Sequence, residues 1–200
     1  MSTYEYKRFP KTKMGQMSKA NGLSISDPAK TLLHTGERPE DDMKLALKTG
    51  MEITKSQDKQ RVQGVFIDIA FRLIDFVRQE LEKKEGENGK CKTISKSAVK
   101  ARAHDFEVEV KGDLKKVKIA GPAVDLLSNL EEDLAVGVMD LAMELMELSN
   151  RNTIQEKDVT PLLYTYNVLC GQEPEPEPEP VPEKKRKTAS KKKTASKKRN

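Results

Sequence analysis

The side chains with the clearest chemical potential in this sequence are clustered cations. Lysines recur at short spacing in two internal stretches, 90–92 and 115–118, and again over 184–199. An ammonium group binds phosphate oxygens, which carry charge but no base-sequence information. These clusters predict binding to a polyanion with little sequence preference. The cations expected to contact phosphates in the terminal block are Lys184, Lys185, Arg186, Lys187, Lys191, Lys192, Lys193, Lys197, Lys198 and Arg199.

Side chains suited to catalysis or metal binding are few and isolated. The chain has two histidines, His34 and His104, and two cysteines, Cys91 and Cys170. Neither histidine belongs to a Ser, Cys or Asp arrangement typical of a nucleophile, and the cysteines lack the spacing of a closed zinc site. The glycines within 86–89 lack the strand-to-helix context of a phosphate-binding loop. We expect no enzymatic activity, cofactor, metal or small-molecule substrate.

The formal charge of +5 is unevenly distributed along the 200 residues. Residues 1–35 contain six basic and two acidic side chains, and residues 172–200 contain ten basic and five acidic ones. These termini therefore carry +4 and +5, which leaves −4 for residues 36–171. We expect attraction to a polyanion mainly in the termini and in local loops.

The C-terminal region divides into a Glu-Pro run over 172–183 and a lysine-rich block over 184–200. Alternating Glu and Pro favour an extended spacer, because proline donates no backbone hydrogen bond and like charges repel. The block repeats TASKK at 188–192 and 194–198, and its composition predicts disorder. A nuclear import signal at 184–187, an RNA-binding arm or a solubility device remain alternatives.

The overall composition predicts a modest core with polar tails. Hydrophobic residues make up 36% and aromatic residues 4%, Trp is absent and the mean hydropathy is −0.72. No apolar run approaches the roughly 20 residues of a membrane span, and the N-terminal residues lack the apolar stretch of a signal peptide. We expect a soluble intracellular protein without a membrane partner.

Two long stretches, 57–83 and 122–149, have helical periodicity with apolar side chains on two faces. In the first stretch, one face carries Val62, Val65, Phe66, Ile69, Leu73, Phe76 and Val77, and a second carries Ile67, Ala70, Phe71 and Ile74. A helix of about 27 residues spans roughly 40 Å, which is more than one small half-domain can cover. We expect the two helices to cross. The alternatives are a generic bundle or a coiled coil, although a coiled coil has one narrow seam.

Both halves resemble histones. The stretch AGPAVDLLSNLEEDLAVGVMDLAMELMELSNRNTIQEKDV is similar to histone 2A. In the first half, LKTGMEITKS, VQGVFIDIAFRLIDF and KCKTISKSAV resemble histone 2B. The resemblance covers about 42–169 and matches the fused doublets of large DNA viruses. A 4-then-3 doublet remains the alternative assignment.

The resemblance implies an all-α fold in which two histone folds of one chain form an intramolecular handshake pseudodimer with disordered basic tails. It divides the chain into an N-terminal disordered tail (1–38), a histone 2B-like fold (39–104), a histone 2A-like fold (105–171), and the spacer with its lysine-rich tail (172–200).

In a handshake the first loop of each half lies beside the second loop of the other half. The resemblance therefore implies one DNA contact that joins Ile53, Thr54 and Lys55 to Arg151, Asn152 and Thr153. It implies another that joins the lysines of 115–118 to the second loop of the first half. The residues expected to bind DNA are Thr54, Lys55, Lys90, Lys92, Thr93, Lys115, Lys116, Lys118, Arg151 and Thr153.

In the family, an arginine of the second loop is clamped by an aspartate of the third helix. Arg151 and Asp158 have the matching spacing of seven residues, and Arg151 resembles a minor-groove arginine. An ordinary exposed arginine beside a helix-starting aspartate is the alternative. In the first half, the resemblance places Cys91 and Ala98 at these positions, so a clamp is not expected there.

Two segments depart from the family pattern. Pro161 is expected to break or restart the third helix at Thr160. The alternating segment 105–119 suggests a short strand or hairpin rather than the family's first helix, although the sequence does not decide between them.

The histone 2A resemblance also implies a possible acidic docking patch, and a solvated helix face is the alternative. The patch would comprise Glu131, Glu132, Asp140 and Glu144.

The resemblance implies packaging of double-stranded DNA in a nucleosome-like particle together with a histone 4/3-type doublet, in the virion and in the host viral factory or nucleus. Two other functions remain open. One is a histone-fold subunit of a transcription or chromatin-regulatory complex, and the other is a histone chaperone that uses its acidic core.

Overall fold

The structure is a computed structural model that describes residues 8–35, 38–86 and 92–171. This part of the chain is mostly helical, as the sequence predicts. The terminal lysine block, Lys90 and Cys91 lie outside the described residues. Across the described ranges, no helix is long and apolar enough to cross a membrane.

The described helices are α1 (Lys11–Ala20), α2 (Asp27–His34), α3 (Glu40–Ser56), α4 (Gly64–Gly86), α5 (Lys96–His104), α6 (Gly121–Ser128), α7 (Glu132–Glu147) and α8 (Glu156–Leu169). The strands are β1 (Ser24–Ile25), β2 (Arg61–Val62), β3 (Glu107–Val110), β4 (Asp113–Lys116), β5 (Lys118–Ile119) and β6 (Thr153–Ile154).

The chain contains an internal repeat. The order β1-α2-α3-β2-α4 recurs as β5-α6-α7-β6-α8. The strand and the helix that open the second copy start 94 residues after their counterparts in the first copy. The three later elements start 92 residues after their counterparts, because the loop between α6 and α7 is two residues shorter than the loop between α2 and α3. The pattern Ile-x-x-Pro-Ala-x-x-Leu-Leu opens both copies, at 25–33 and at 119–127. The domain boundaries predicted at 38/39 and 104/105 therefore do not coincide with the repeat.

The predicted continuous helix over 122–149 is wrong, because the chain leaves the helical path between α6 and α7. Glu131 has an extended backbone with φ −65° and ψ 152°. It forms an antiparallel bridge with Thr93, and the Glu132 amide donates to the Lys92 carbonyl at 3.0 Å. The backbone groups that the break exposes thus find partners in another segment.

The other predicted helix, over 57–83, begins later than expected, at Gly64, since 57–63 forms a turn and β2.

Each copy of the repeat, from β1 to α4 or from β5 to α8, is called a half from here on, and each half pairs its own two strands. β1 is parallel to β2, and β5 is parallel to β6. The handshake implied that the first loop of one half lies beside the second loop of the other half, whereas these strand pairs form within one half. An unbroken helix of about 27 residues would hold its ends roughly 40 Å apart. The chain instead breaks between α2 and α3 and between α6 and α7, and these breaks allow β1 to reach β2 and β5 to reach β6.

Residues 8–35 are folded, so the prediction of a disordered tail over 1–38 is wrong for this stretch. α1 and α2 lie within it. Phe9, Met14 and Leu33 are fully buried in a core cluster with α3 and one side of α4. Apolar burial here outweighs the basic character of the stretch, because burying a large side chain contributes about 1.5–3 kcal/mol.

The two apolar faces of α4 serve the two halves, which confirms that one half alone does not cover this helix. Ile67, Ala70, Phe71 and Ile74 pack in the core of the first half. The other face packs in a core cluster made mostly from the second half, and its fully buried members are Phe66, Ile69, Leu73 and Val77. α4 also packs on α8, α3 on α8 and α7 on α4.

The segment 105–119 forms a hairpin, as one of the two sequence interpretations expects. β3 pairs antiparallel with β4, and the turn holds Lys111 and Gly112 at φ 57° and 85°.

The expected break at Pro161 is wrong, because α8 continues through it. The proline sits in the second turn, where it removes a single helical hydrogen bond, and its ring is buried in compensation.

Gly137 on α7 provides a test of the packing between the halves. A Cβ at this position would overlap the Phe76 ring of α4. We expect Gly137→Ala to lower the free energy of unfolding by about 1–3 kcal/mol in urea titrations. Gly15→Ala on α1, where a Cβ meets no atom, is the matched control and should be neutral or stabilising. Equal stability of the two variants would contradict this packing.

Candidate nucleic-acid interface

The ends of α3 and α7 form equivalent turns. Asp58 and Asn150, 92 residues apart, both have a left-handed backbone with φ 54° and 51°. In both turns, the next amide donates to a carbonyl five residues earlier, from Lys59 to Thr54 and from Arg151 to Met146. The turn geometry of the first repeat is therefore reproduced in the second.

The two turns touch each other through equivalent residues. The Ser149 hydroxyl donates to Oε1 of Gln57 at 2.5 Å, and these residues are again 92 positions apart. A contact between equivalent residues is expected close to an axis of approximate two-fold symmetry. The repeats thus meet turn to turn.

This contact limits how far apart the strand pairs lie. β2 and β6 each start four residues after the touching pair, and four residues span at most about 14 Å. Both strand pairs therefore lie near the contact. We call the surface formed by 24–25, 57–62, 118–119 and 149–154 the dyad face.

A buried carboxylate organises the dyad face. Asp158 is fully buried, and both of its oxygens accept from the Arg151 guanidinium, at 2.7 Å from Nη2 and 3.0 Å from Nη1. It also accepts from the Gln155 amide at 2.8 Å and from Nε2 of Gln57 at 2.9 Å. The predicted clamp is therefore present, and the alternative of an ordinary exposed arginine is wrong.

Arg151 is held more tightly than a mobile DNA-binding arm would be. Its Nη1 also donates to the Thr153 carbonyl at 3.0 Å, and its side chain is only 21% exposed. Nε is buried without a hydrogen-bond partner among the described residues. Arg151 therefore acts mainly by fixing the turn and β6 in place.

The equivalent of the clamp in the first half is a cation–π contact. Lys59 and Phe66 occupy the repeat positions of Arg151 and Asp158, and Nζ of Lys59 lies 5.1 Å from the centre of the Phe66 ring. The family resemblance placed Cys91 and Ala98 at these positions, whereas the internal repeat places Lys59 and Phe66 there. The 92-residue offset visible around Gln63 and Gln155 was the missed signal.

Several predicted DNA-binding residues meet on the dyad face, although in other pairs than expected. Lys118 lies opposite Thr153 in the parallel pair, and Nδ2 of Asn152 donates to the Lys116 carbonyl at 3.3 Å. Lys116 and Lys115 are exposed, with acidic neighbours Glu107 at 3.1 Å and Asp113 at 3.9 Å.

Other predicted residues do not fit a DNA contact on this face. Thr54 is fully buried and donates to the Gly50 carbonyl at 2.6 Å, so its assignment is wrong. Lys55 is exposed and pairs with Glu52 at 2.8 Å. Lys92 and Thr93 lie at the start of α7, roughly 24 Å along that helix from its turn.

The first half supplies a cation that the sequence interpretation missed. Arg61 is exposed and lies opposite Ser24 in the β1–β2 pair, at the repeat position of Thr153. Neither Arg61 nor Lys118 forms an ion pair with an acidic residue of the described chain. The dyad face thus carries one such exposed cation on each strand pair.

The predicted acidic patch on α7 is divided. Glu131 and Glu132 lie at the helix start, and Glu144 lies twelve residues further, roughly 18 Å away. Glu144 pairs with Arg72 of α4 at 2.6 Å. Partial burial raises the pKa of Asp140, and Arg102 partly offsets this effect. These acids fit a solvated helix face better than one docking patch.

Within the described ranges, no three His, Cys, Asp or Glu side chains are grouped to hold a metal ion. Comparisons with family models, curated proteins and solved structures found no match for the chain.

Removal of the buried carboxylate charge provides a test of the clamp. We expect Asp158→Asn to lower the free energy of unfolding by about 2–4 kcal/mol, because it leaves a partly buried guanidinium without its counter-charge. Lys157→Gln, which removes the loose surface pair with Asp58 at 3.7 Å, should cost less than about 0.5 kcal/mol. Urea unfolding at neutral pH measures both, and a similarly small loss in each would refute a stabilising clamp.

Proposed function

We propose that this chain is a DNA-packaging protein that binds double-stranded DNA without sequence preference through the dyad face. The observation that carries the proposal is the meeting of the two turns at Gln57 and Ser149, which brings the strand pairs together. Each pair presents an exposed cation, Arg61 beside Ser24 in one pair and Lys118 beside Thr153 in the other.

The chemistry of this face suits phosphates rather than base edges. Ammonium and guanidinium groups bind phosphate oxygens, which are identical at every base pair. Among the acidic side chains nearby, Asp158 is inside the clamp and Asp27 pairs with Lys30 at 2.8 Å. Asp58 is exposed and lies 3.7 Å from Lys157. The ten basic residues of 172–200 would add attraction to the same polyanion.

The histone resemblance supports packaging over simple binding. A viral histone doublet that pairs with a histone 4/3-type doublet would wrap DNA in a nucleosome-like particle in the virion and in the viral factory or nucleus. Because strands pair within each half here, the proposal rests on the charged face and not on handshake geometry.

The salt dependence of DNA binding tests the face directly. Each phosphate contact contributes about 0.9 to the slope of log K against log salt concentration. We expect R61Q/K118Q to make the slope shallower by about 1.8, equally for unrelated duplexes. K48Q/K100Q removes two exposed lysines of α3 and α5 and should leave the slope close to that of the wild type. An unchanged slope in R61Q/K118Q, or a strong preference for one duplex, would reject the proposal.

Packaging makes a second prediction, for nuclease digestion of particles assembled on long DNA with and without a histone 4/3-type doublet. Wrapping should leave a discrete protected length in the presence of the partner, because the nuclease cuts only outside the contacts. A featureless smear under both conditions would count against packaging and leave DNA binding alone.

A further inference from the structure

We propose that a cavity between α1, β1 and α2, which borders the dyad face at Ser24 and Ile25, binds an oligophosphate group. The cavity has a volume of about 650 Å³, which is in the usual range for small-ligand sites. Three lysines line it, Lys11 and Lys19 of α1 and Lys30 of α2. It lies in the N-terminal region that the sequence interpretation assigned to a tail.

The charge of the cavity is unbalanced. The acidic residue of its lining, Asp27, pairs with Lys30 at 2.8 Å. That hydrogen bond is the main cause that lowers the pKa of Asp27, and the charges of Arg61 and Lys11 lower it further. Lys11 and Lys19 form no ion pair with any acidic residue of the described chain. Two ammonium groups thus remain for an anion.

The remaining walls supply polar groups and an apolar floor. The hydroxyls of Thr12, Ser24 and Thr31 line the cavity, and Leu23 and Ile25 beneath it are buried. An apolar floor has a low dielectric constant and focuses the field of the cations that line a concave site. The Ser24 and Thr31 hydroxyls donate to backbone carbonyls at 3.2 and 3.0 Å. The donors that remain around the concavity are the ammonium groups and the Thr12 hydroxyl, and they match acceptor oxygens of linked phosphates.

The structure of the site is stabilised independently of the lysines. Leu23 and Ile25 pack in the first core cluster, and Ser24 is held by backbone and hydroxyl bonds to the Gln60 carbonyl at 3.0 and 3.2 Å. Lys11 and Lys19 are exposed on one helix. Their replacement by glutamine should therefore leave the fold intact while it removes the charge.

Amide NMR of the full-length chain titrated with sodium tripolyphosphate tests the site. We expect saturable shifts of amides within 11–31, with affinity reduced at least fivefold in K11Q/K19Q and retained in K48Q/K100Q. Residue-resolved signals separate this site from the terminal lysines. Shifts confined to 184–199, or equal losses in both double variants, would overturn the proposal.

A duplex of 20 base pairs, used in place of tripolyphosphate, distinguishes the two phosphate sources. If the cavity holds a backbone phosphate, DNA shifts the same amides in the wild type and not in K11Q/K19Q. If it holds a free oligophosphate, only tripolyphosphate shifts them. Either pattern supports the site, whereas no shift with either ligand rejects it. R61Q/K118Q leaves Lys11 and Lys19 in place, and K11Q/K19Q leaves the cations of the dyad face in place, so each proposal is tested by its own variant.

Discussion

The buried carboxylate of Asp158 is the constraint on which the arrangement of the two halves depends. A charge placed in the interior is costly unless ionic and hydrogen-bonding partners surround it. Here the partners come from three places: Arg151 of the second turn, Gln155 at the start of α8, and Gln57 from the other half. Satisfying one carboxylate therefore fixes the turn, the helix and the contact between halves at once.

The repeat shows how one backbone carries different chemistry in its two copies. The turn bonds, the strand pairing and the helix starts recur, while the fixing interaction changes from the Arg151–Asp158 clamp to the contact of Lys59 with Phe66. A cation–π contact is weaker and less directional than a bidentate ion pair. Arg61 of the first half is exposed without an ion pair, whereas Arg151 is committed to the interior.

The sequence predicted those features that follow from periodicity and from local spacing. The two faces of α4 were predicted because apolar side chains repeat on both sides of one helix, and the clamp because seven residues connect Arg151 to Asp158. The strand pairs were missed because each strand has two residues and carries no pattern. The break at Glu131 was missed because leucines continue the helical spacing across it, and its hydrogen-bond partners lie near residue 93. The burial of Phe9 and Met14 was not predicted, because the net positive charge of the N-terminal region was interpreted as that of a disordered tail.

The distance between the two turns tests the central claim most directly. Spin labels on cysteines placed at Gln60 and Asn152, with Cys91 and Cys170 replaced by serine, report it by double electron–electron resonance. Each labelled position lies three residues from the Gln57–Ser149 contact, so its chain reaches at most about 10 Å from it. Turn-to-turn packing predicts one narrow population with a backbone separation of no more than about 30 Å. A main population well beyond this separation would show that the strand pairs do not share a face, and it would contradict the account.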